Sequence, residues 1–140
     1  MKIFIVCSTS FYNKIKPIKE ELERKNYKVL LPNSYEESTT DHDYSNMTNE
    51  EYISFFKEMY NLSRNKISGI DAILVLNFDK EKNGIINKNY IGASTFLEMY
   101  EAFMQNKKIF IYNDYPNNML LDEIKGFNPI ILNGDLDNMK

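Results

Sequence analysis

Gly69 to Asn77 reads GIDAILVLN. Its middle, Ala72 to Leu76, is apolar at every position and rich in branched side chains. Alternating hydrophobicity would mark a strand with one wet face. A continuous run marks a strand covered on both faces, as in the middle of a parallel sheet. Such a sheet needs crossover helices on either side, so the flanking sequence must supply them.

It does so in both directions. Upstream, Thr48 and Glu51 have capping-box spacing and open a helix to about Lys66, with Phe55, Phe56, Met59 and Leu62 as its apolar stripe. Before it lies SYEESTTDHDYSNMTN, Ser34 to Asn49, polar, acidic and aperiodic. A stretch of that length predicts a mobile lid or a disordered loop. Tyr27 to Leu31 reads as a short strand stopped by Pro32, Lys14 to Lys25 as a helix carrying Ile15, Ile18 and Leu22, and Ile3 to Val6 as the first strand. Downstream, Asn77 to Gly92 reads as a loop with Gly84 and several asparagines. A helix follows, then a strand at Ile109 to Tyr112, a short helix around Leu120 to Lys125, a strand at Ile130 to Leu132, and a final turn in NGDLDNMK. Strand and helix alternate throughout. The expected fold is therefore α/β, a flavodoxin-like or Rossmann-like three-layer sandwich. Its five-stranded parallel sheet should have order 2-1-3-4-5, within one domain spanning residues 1–140.

The totals exclude several functions. The chain has 140 residues, 43% hydrophobic and 26% charged, which suits one globular domain with a core of its own. The formal charge of −3 and the lack of a basic block argue against nucleic acid as a partner. No apolar run approaches the ~20 residues of a membrane span, and the stretch in MKIFIVCSTS is short of a signal-peptide core, so no membrane partner is expected. Cys7 is the only cysteine, which excludes a disulfide framework and suits a reducing, cytoplasmic setting. His42, between Asp41 and Asp43, lacks companions at metal-ligand spacing, so no metal is expected.

In a sheet of this order, ligands bind beyond the carboxyl ends of the strands, beside the switch point between strands one and three. That rule selects CSTSFYN, Cys7 to Asn13, and the segment from Asn77 into the helix that contains YIGASTFLEMYEAF, Tyr90 to Phe103. In the first, the hydroxyls and rings of Ser8, Thr9, Phe11 and Tyr12 suit a sugar, a phosphate or a base, and equally an ordinary strand-to-helix turn. Neither a glycine-rich dinucleotide fingerprint nor a Walker loop is present. In the second, Gly92 permits close backbone approach, and Ser94 and Thr95 stand where a helix begins, with free amide donors for a phosphate or hydroxyl. Glu98 has two plain readings. With Thr95 it forms Thr-x-x-Glu, a capping box. With Glu101 and Gln105 it forms a narrow polar stripe, at ~100° per residue, of the kind that usually faces water. Asp71 precedes the central strand, roughly 20 Å from the Asn77 end at ~3.3 Å per residue, and so belongs to the wrong edge. Cys7 reads as a small buried apolar group near the site.

GIDAILVLN, YIGASTFLEMYEAF and KKIFIYND together resemble the nucleoside 2-deoxyribosyltransferase superfamily, which includes the 2'-deoxynucleoside 5'-phosphate N-hydrolases. The resemblance covers roughly Ser68 to Asp114, and the remainder through strand order alone. It implies cleavage or exchange of an N-glycosidic bond on a nucleoside or nucleotide, without a cofactor, by a homo-oligomer. It places the family's nucleophilic glutamate on Glu98, with Tyr12 or Asn77 positioning substrate and Ser94 and the strand-one loop holding the sugar or 5'-phosphate. A carboxylate there would attack the anomeric carbon and form a glycosyl-enzyme intermediate. The chain also departs from the family's pattern. No Asp or Glu occurs from Lys82 to Leu97, Ser63 or a neighbour stands where the preceding helix would supply an aspartate, and Tyr100 replaces a glycine. A binding module on the same fold, with Glu98 serving only its helix, is the alternative.

Overall fold

The computed structural model describes residues 1–35 and 44–140. His42 and the middle of the expected lid lie outside the described residues.

Five strands form one parallel sheet: β1 (Lys2–Val6), β2 (Lys28–Leu30), β3 (Ala72–Val75), β6 (Lys108–Ile111) and β7 (Ile130–Ile131), in the order β2-β1-β3-β6-β7. This is the order 2-1-3-4-5 anticipated for the main strands. β3 is buried at every position: β1 and β6 pair with its edges, and both of its faces are packed. The pleat then sends alternate side chains to opposite faces. Ile3, Ile5, Ala72 and Leu74 pack with Ile15, Ile18 and Leu22 of α1 (Ile15–Arg24), and with Leu136 and Met139 of the C-terminal 3₁₀ turn. Phe4, Val6, Ile73 and Val75 pack with Ile67 of α2 (Asn49–Ser68), Met99 and Ala102 of α3 (Ala93–Met104) and Ile124 of α4 (Leu121–Gly126). Three layers result, flavodoxin-like in topology. Among the described residues no helix is long and apolar enough to cross a membrane.

The predicted capping box opens α2: Thr48 accepts from Glu51 N, and the Glu51 side chain accepts from Thr48 N. The apolar stripe expected on α2 is different, however. Ser63 and Ile67 are the buried residues, Phe55, Phe56 and Met59 are half-buried, and Leu62 is 40% exposed. The first turns of α2 pack instead on Tyr44, whose ring meets Tyr52, Phe55 and Phe56 at centroid distances of 5.5, 5.9 and 5.5 Å.

The expected loop from Asn77 to Gly92 contains an antiparallel hairpin, β4 (Lys80–Lys82) and β5 (Ile85–Asn87). Its turn is Asn83-Gly84, with φ of 54° and 77°. Both positions are left-handed, the conformation of the type I′ turn that matches strand twist. The dipeptide was itself the signal. Asn89 N bonds Asp79 Oδ1 at 3.0 Å and Tyr90 N bonds Phe78 O at 2.8 Å, closing the base of the hairpin.

Candidate active site

The fold sets Glu98 at the carboxyl edge of the sheet, near Cys7 just past the end of β1. The N-cap of α3 is Gly92, with no side-chain cap, and Phe96 N bonds Gly92 O at 2.9 Å. Thr95 therefore already lies inside the first turn, buried, and cannot cap. The Thr95–Glu98 capping box is absent, because the helix begins three residues earlier than that reading requires.

The water-facing reading of the stripe is also overturned. Glu98, Glu101 and Gln105 face α2. Ser63 Oγ donates to Glu98 Oε2 at 2.9 Å, Arg64 Nε donates to Glu101 Oε1, and Ser68 Oγ donates to Gln105 Oε1 at 2.9 Å. The polar seam between the two helices is graded. At its outer part Arg64 is 66% exposed, whereas Ser63 at the Glu98 end is 8% exposed.

Glu98 as a residue is half-buried, but its carboxyl group is crowded by protein. Burial pushes it up to about 7, against the Ser63 hydrogen bond and the positive charge of Lys66, which pull it back down. The Cys7 thiol is pushed up to about 12, first by burial and then by the Glu98 carboxylate, so the end of β1 and Glu98 lie close enough to interact. Cys7 is not a reactive thiolate in this setting.

The other sequence-predicted residues gather on the same edge in distinct roles. Ser8 accepts from Ser10 N at 3.3 Å and starts the 3₁₀ turn Thr9–Lys14. Thr9 and Ser94 are exposed, and Tyr12 is half-buried against Tyr35 at 5.6 Å. Phe11 is 3% exposed and packs edge-on to Phe78 at 5.6 Å and Tyr90 at 6.4 Å, so its ring belongs to the wall under the edge. Asn77 is fully buried. Its Nδ2 donates to Asp114 O at 2.8 Å, its Oδ1 accepts from Asn113 N at 2.8 Å, and its carbonyl accepts from Asn113 Nδ2 at 3.0 Å. That set ties the ends of β3 and β6 together. A Cβ on Gly92 would meet the Tyr90 hydroxyl at 3.4 Å, an ordinary contact with the end of a side chain, so space alone does not demand glycine at the N-cap.

Sequence reasoning missed Asn33 and Lys66. Lys66 Nζ donates to Leu31 O at 2.8 Å, and Asn33 Nδ2 donates to Ser63 Oγ at 3.0 Å. Asn33 was within reach of the topological rule, since it follows the carboxyl end of β2. Nothing in the sequence marked Lys66.

No protein-family model matches the sequence, and no curated protein matches it. Among solved structures, the fold matches the CMP N-glycosidase BcmB of Clostridium botulinum with a TM-score of 0.54 and 15% identity, over 95% of this chain and 90% of that one. The chain and that N-glycosidase share a fold. A 2-deoxyribosyltransferase of Bacillus psychrosaccharolyticus matches with a TM-score of 0.48 and 13% identity, over 79% of this chain and 71% of that one. At such identity a likeness is one of architecture, and chemistry rests on the residues at the edge.

Proposed function

We propose that this chain cleaves or exchanges the N-glycosidic bond of a nucleoside or nucleoside 5'-monophosphate, with Glu98 as nucleophile. The observation that carries this reading is a crowded carboxyl on the second turn of α3, beside the switch point, which burial pushes up to about 7.

In this reading a Glu98 oxygen bonds the anomeric carbon. The carbon–nitrogen bond breaks, and its electron pair leaves with the base, which takes up a proton. Water or a second base then attacks the same carbon and releases Glu98, which retains configuration through two inversions. Ser8, Thr9, Tyr12 and Ser94 line the approach and supply hydroxyls for sugar or 5'-phosphate. The free amides at the start of α3, beyond Gly92, add donors and the positive end of the helix dipole. Phe11, Asn77 and Thr95 hold the walls, and no cofactor enters. A cytoplasmic setting suits the free Cys7.

Self-association belongs to the same proposal. Ile53 and Tyr60 of α2 and Leu97, Tyr100 and Met104 of α3 are 58, 48, 43, 52 and 57% exposed, on two helices that pack together. A second copy covering that face would bury Tyr100, the residue in place of the family's glycine.

The binding-module alternative is favoured by one observation: the group on Glu98 is the Ser63 hydroxyl rather than a second carboxylate. Incubation with a panel of nucleosides, deoxynucleosides and their 5'-monophosphates, followed by chromatography for free base, decides between them. Release of base that is lost in Glu98→Gln supports the enzyme. A rise in melting temperature with nucleotide, without any cleavage, supports the module.

A further inference from the structure

The chain after β2 is strapped to α2 at three places. Lys66 Nζ holds Leu31 O at 2.8 Å, and Asn33 Nδ2 reaches both Met59 O at 3.3 Å and Ser63 Oγ at 3.0 Å. Ser63 Oγ in turn donates to Glu98 Oε2 at 2.9 Å. The direction of these bonds follows from what each group is able to do. A main-chain carbonyl accepts and never donates, so Met59 O turns the Asn33 amide with its nitrogen toward α2. The same nitrogen then occupies a lone pair of the Ser63 hydroxyl. A hydroxyl has one proton, and here that proton is left for Glu98.

We propose that Asn33 is a positioning residue for Glu98: by occupying a lone pair of Ser63 it aims that hydroxyl's only proton at Glu98 Oε2. This holds one carboxylate oxygen and leaves the other for the anomeric carbon. The proposal rests on Glu98 being the nucleophile, as argued above.

A second observation separates this role from packing. Asn33 Oδ1 is buried without a hydrogen-bond partner, the one such side-chain atom among the described residues. A stranded buried acceptor is costly. An aliphatic side chain would fill the same place without that cost. The amide is kept for what its nitrogen does, and its nitrogen serves Met59 and Ser63.

The test reads Glu98 directly. The groups that face it are Ser63 and Lys66 from α2 and Cys7 just after β1, while Arg64 is engaged by Glu101. Carbon-13 NMR on glutamate-labelled protein, assigned with Glu98→Gln, follows its titration. Ser63→Ala removes the donated proton, so the midpoint should rise by about one pH unit. Asn33→Asp puts an acceptor where the donor was. The Ser63 proton then turns to residue 33, a further negative charge arrives, and the midpoint should rise by about one pH unit or more. Asn33→Ala leaves the proton unaimed and should give a smaller rise.

The decisive comparison is Asn33→Ala in the Ser63→Ala background, where a relay through Ser63 predicts no additional rise. An Asn33 that merely supports the fold would lower the melting temperature and leave the midpoint alone, and that result overturns the proposal. So does a rise on Asn33→Ala that persists without Ser63. If Asn33→Asp fails to fold, the alanine cycle alone carries the decision. The readout needs no turnover. Midpoints that move as described, in a protein that cleaves no nucleotide, keep the relay and sink the catalytic reading. Cleavage with immobile midpoints does the reverse.

Discussion

Replacing Glu98 by Gln tests the electrostatics of the site through stability. Burial moves the Glu98 carboxyl from 4.5 to about 7, which at about 1.4 kcal/mol per pH unit amounts to roughly 3 kcal/mol. The sign follows from proton binding. Between those two values the folded protein holds the proton more firmly than the unfolded chain. Glu98 therefore costs nothing below about 4.5, and its burden grows from there to about 7 and is complete above it. Glutamine keeps an oxygen for the Ser63 proton and does not titrate. Every other ionisable group is common to both proteins and cancels. At pH 5 the two should melt within a few degrees of each other, whereas at pH 8 Glu98→Gln should melt higher by about 10 °C relative to that baseline. Circular dichroism or calorimetry at several pH values gives the curve. A gap between variant and parent that stays constant from pH 5 to 8 would refute the argument, because it would mean the folded carboxyl titrates as in the unfolded chain. The same variant should lose base release by at least about a thousandfold, and the parent's kcat/KM should rise with pH through a midpoint near 7, as Glu98 ionises.

Glu101→Gln is the neighbouring control: its partner Arg64 is 66% exposed, so the change should cost less than about 1 kcal/mol and leave base release unaltered. Asn77→Ala empties a fully buried side-chain site and takes the partners of Asn113 N and the Asp114 carbonyl, which lie nearer the surface, and should cost about 2–3 kcal/mol, read as a melting temperature lower by several degrees. Gly84→Val forces a branched residue to φ of 77° with no neighbour to clash against, so about 1–2 kcal/mol of strain should appear locally, as faster amide exchange in β4 and β5 with little change in global melting.

The local patterns carried the architecture. Ala72 to Leu76 demanded cover on both faces and has it, with β1 and β6 on its flanks and helices above and below. Thr48 and Glu51 set the start of α2 through bonds between residues three apart, and short-range bonds of that kind need no tertiary context. Asn83-Gly84 was equally legible, and reading it as loop undervalued a dipeptide whose backbone preference is local. The start of α3 was misplaced at Thr95, because Gly92 offers no side chain by which a cap could be recognised.

The character of Glu98 was decided by tertiary structure. Helical periodicity grouped Glu98, Glu101 and Gln105 on one face, and they do share one. What that face meets depends on α2, whose Ser63 is 35 residues away in the chain and 2.9 Å away in space. The same limit applies on α2, where Ser63 rather than Leu62 turned inward. A repeat of 3.6 residues specifies which side chains point together, but the direction in which they point is set by how the helix rolls against its neighbours. A carboxyl facing water and one pushed up to about 7 by burial, against a serine proton and a lysine, are therefore the same sequence pattern, told apart only by packing.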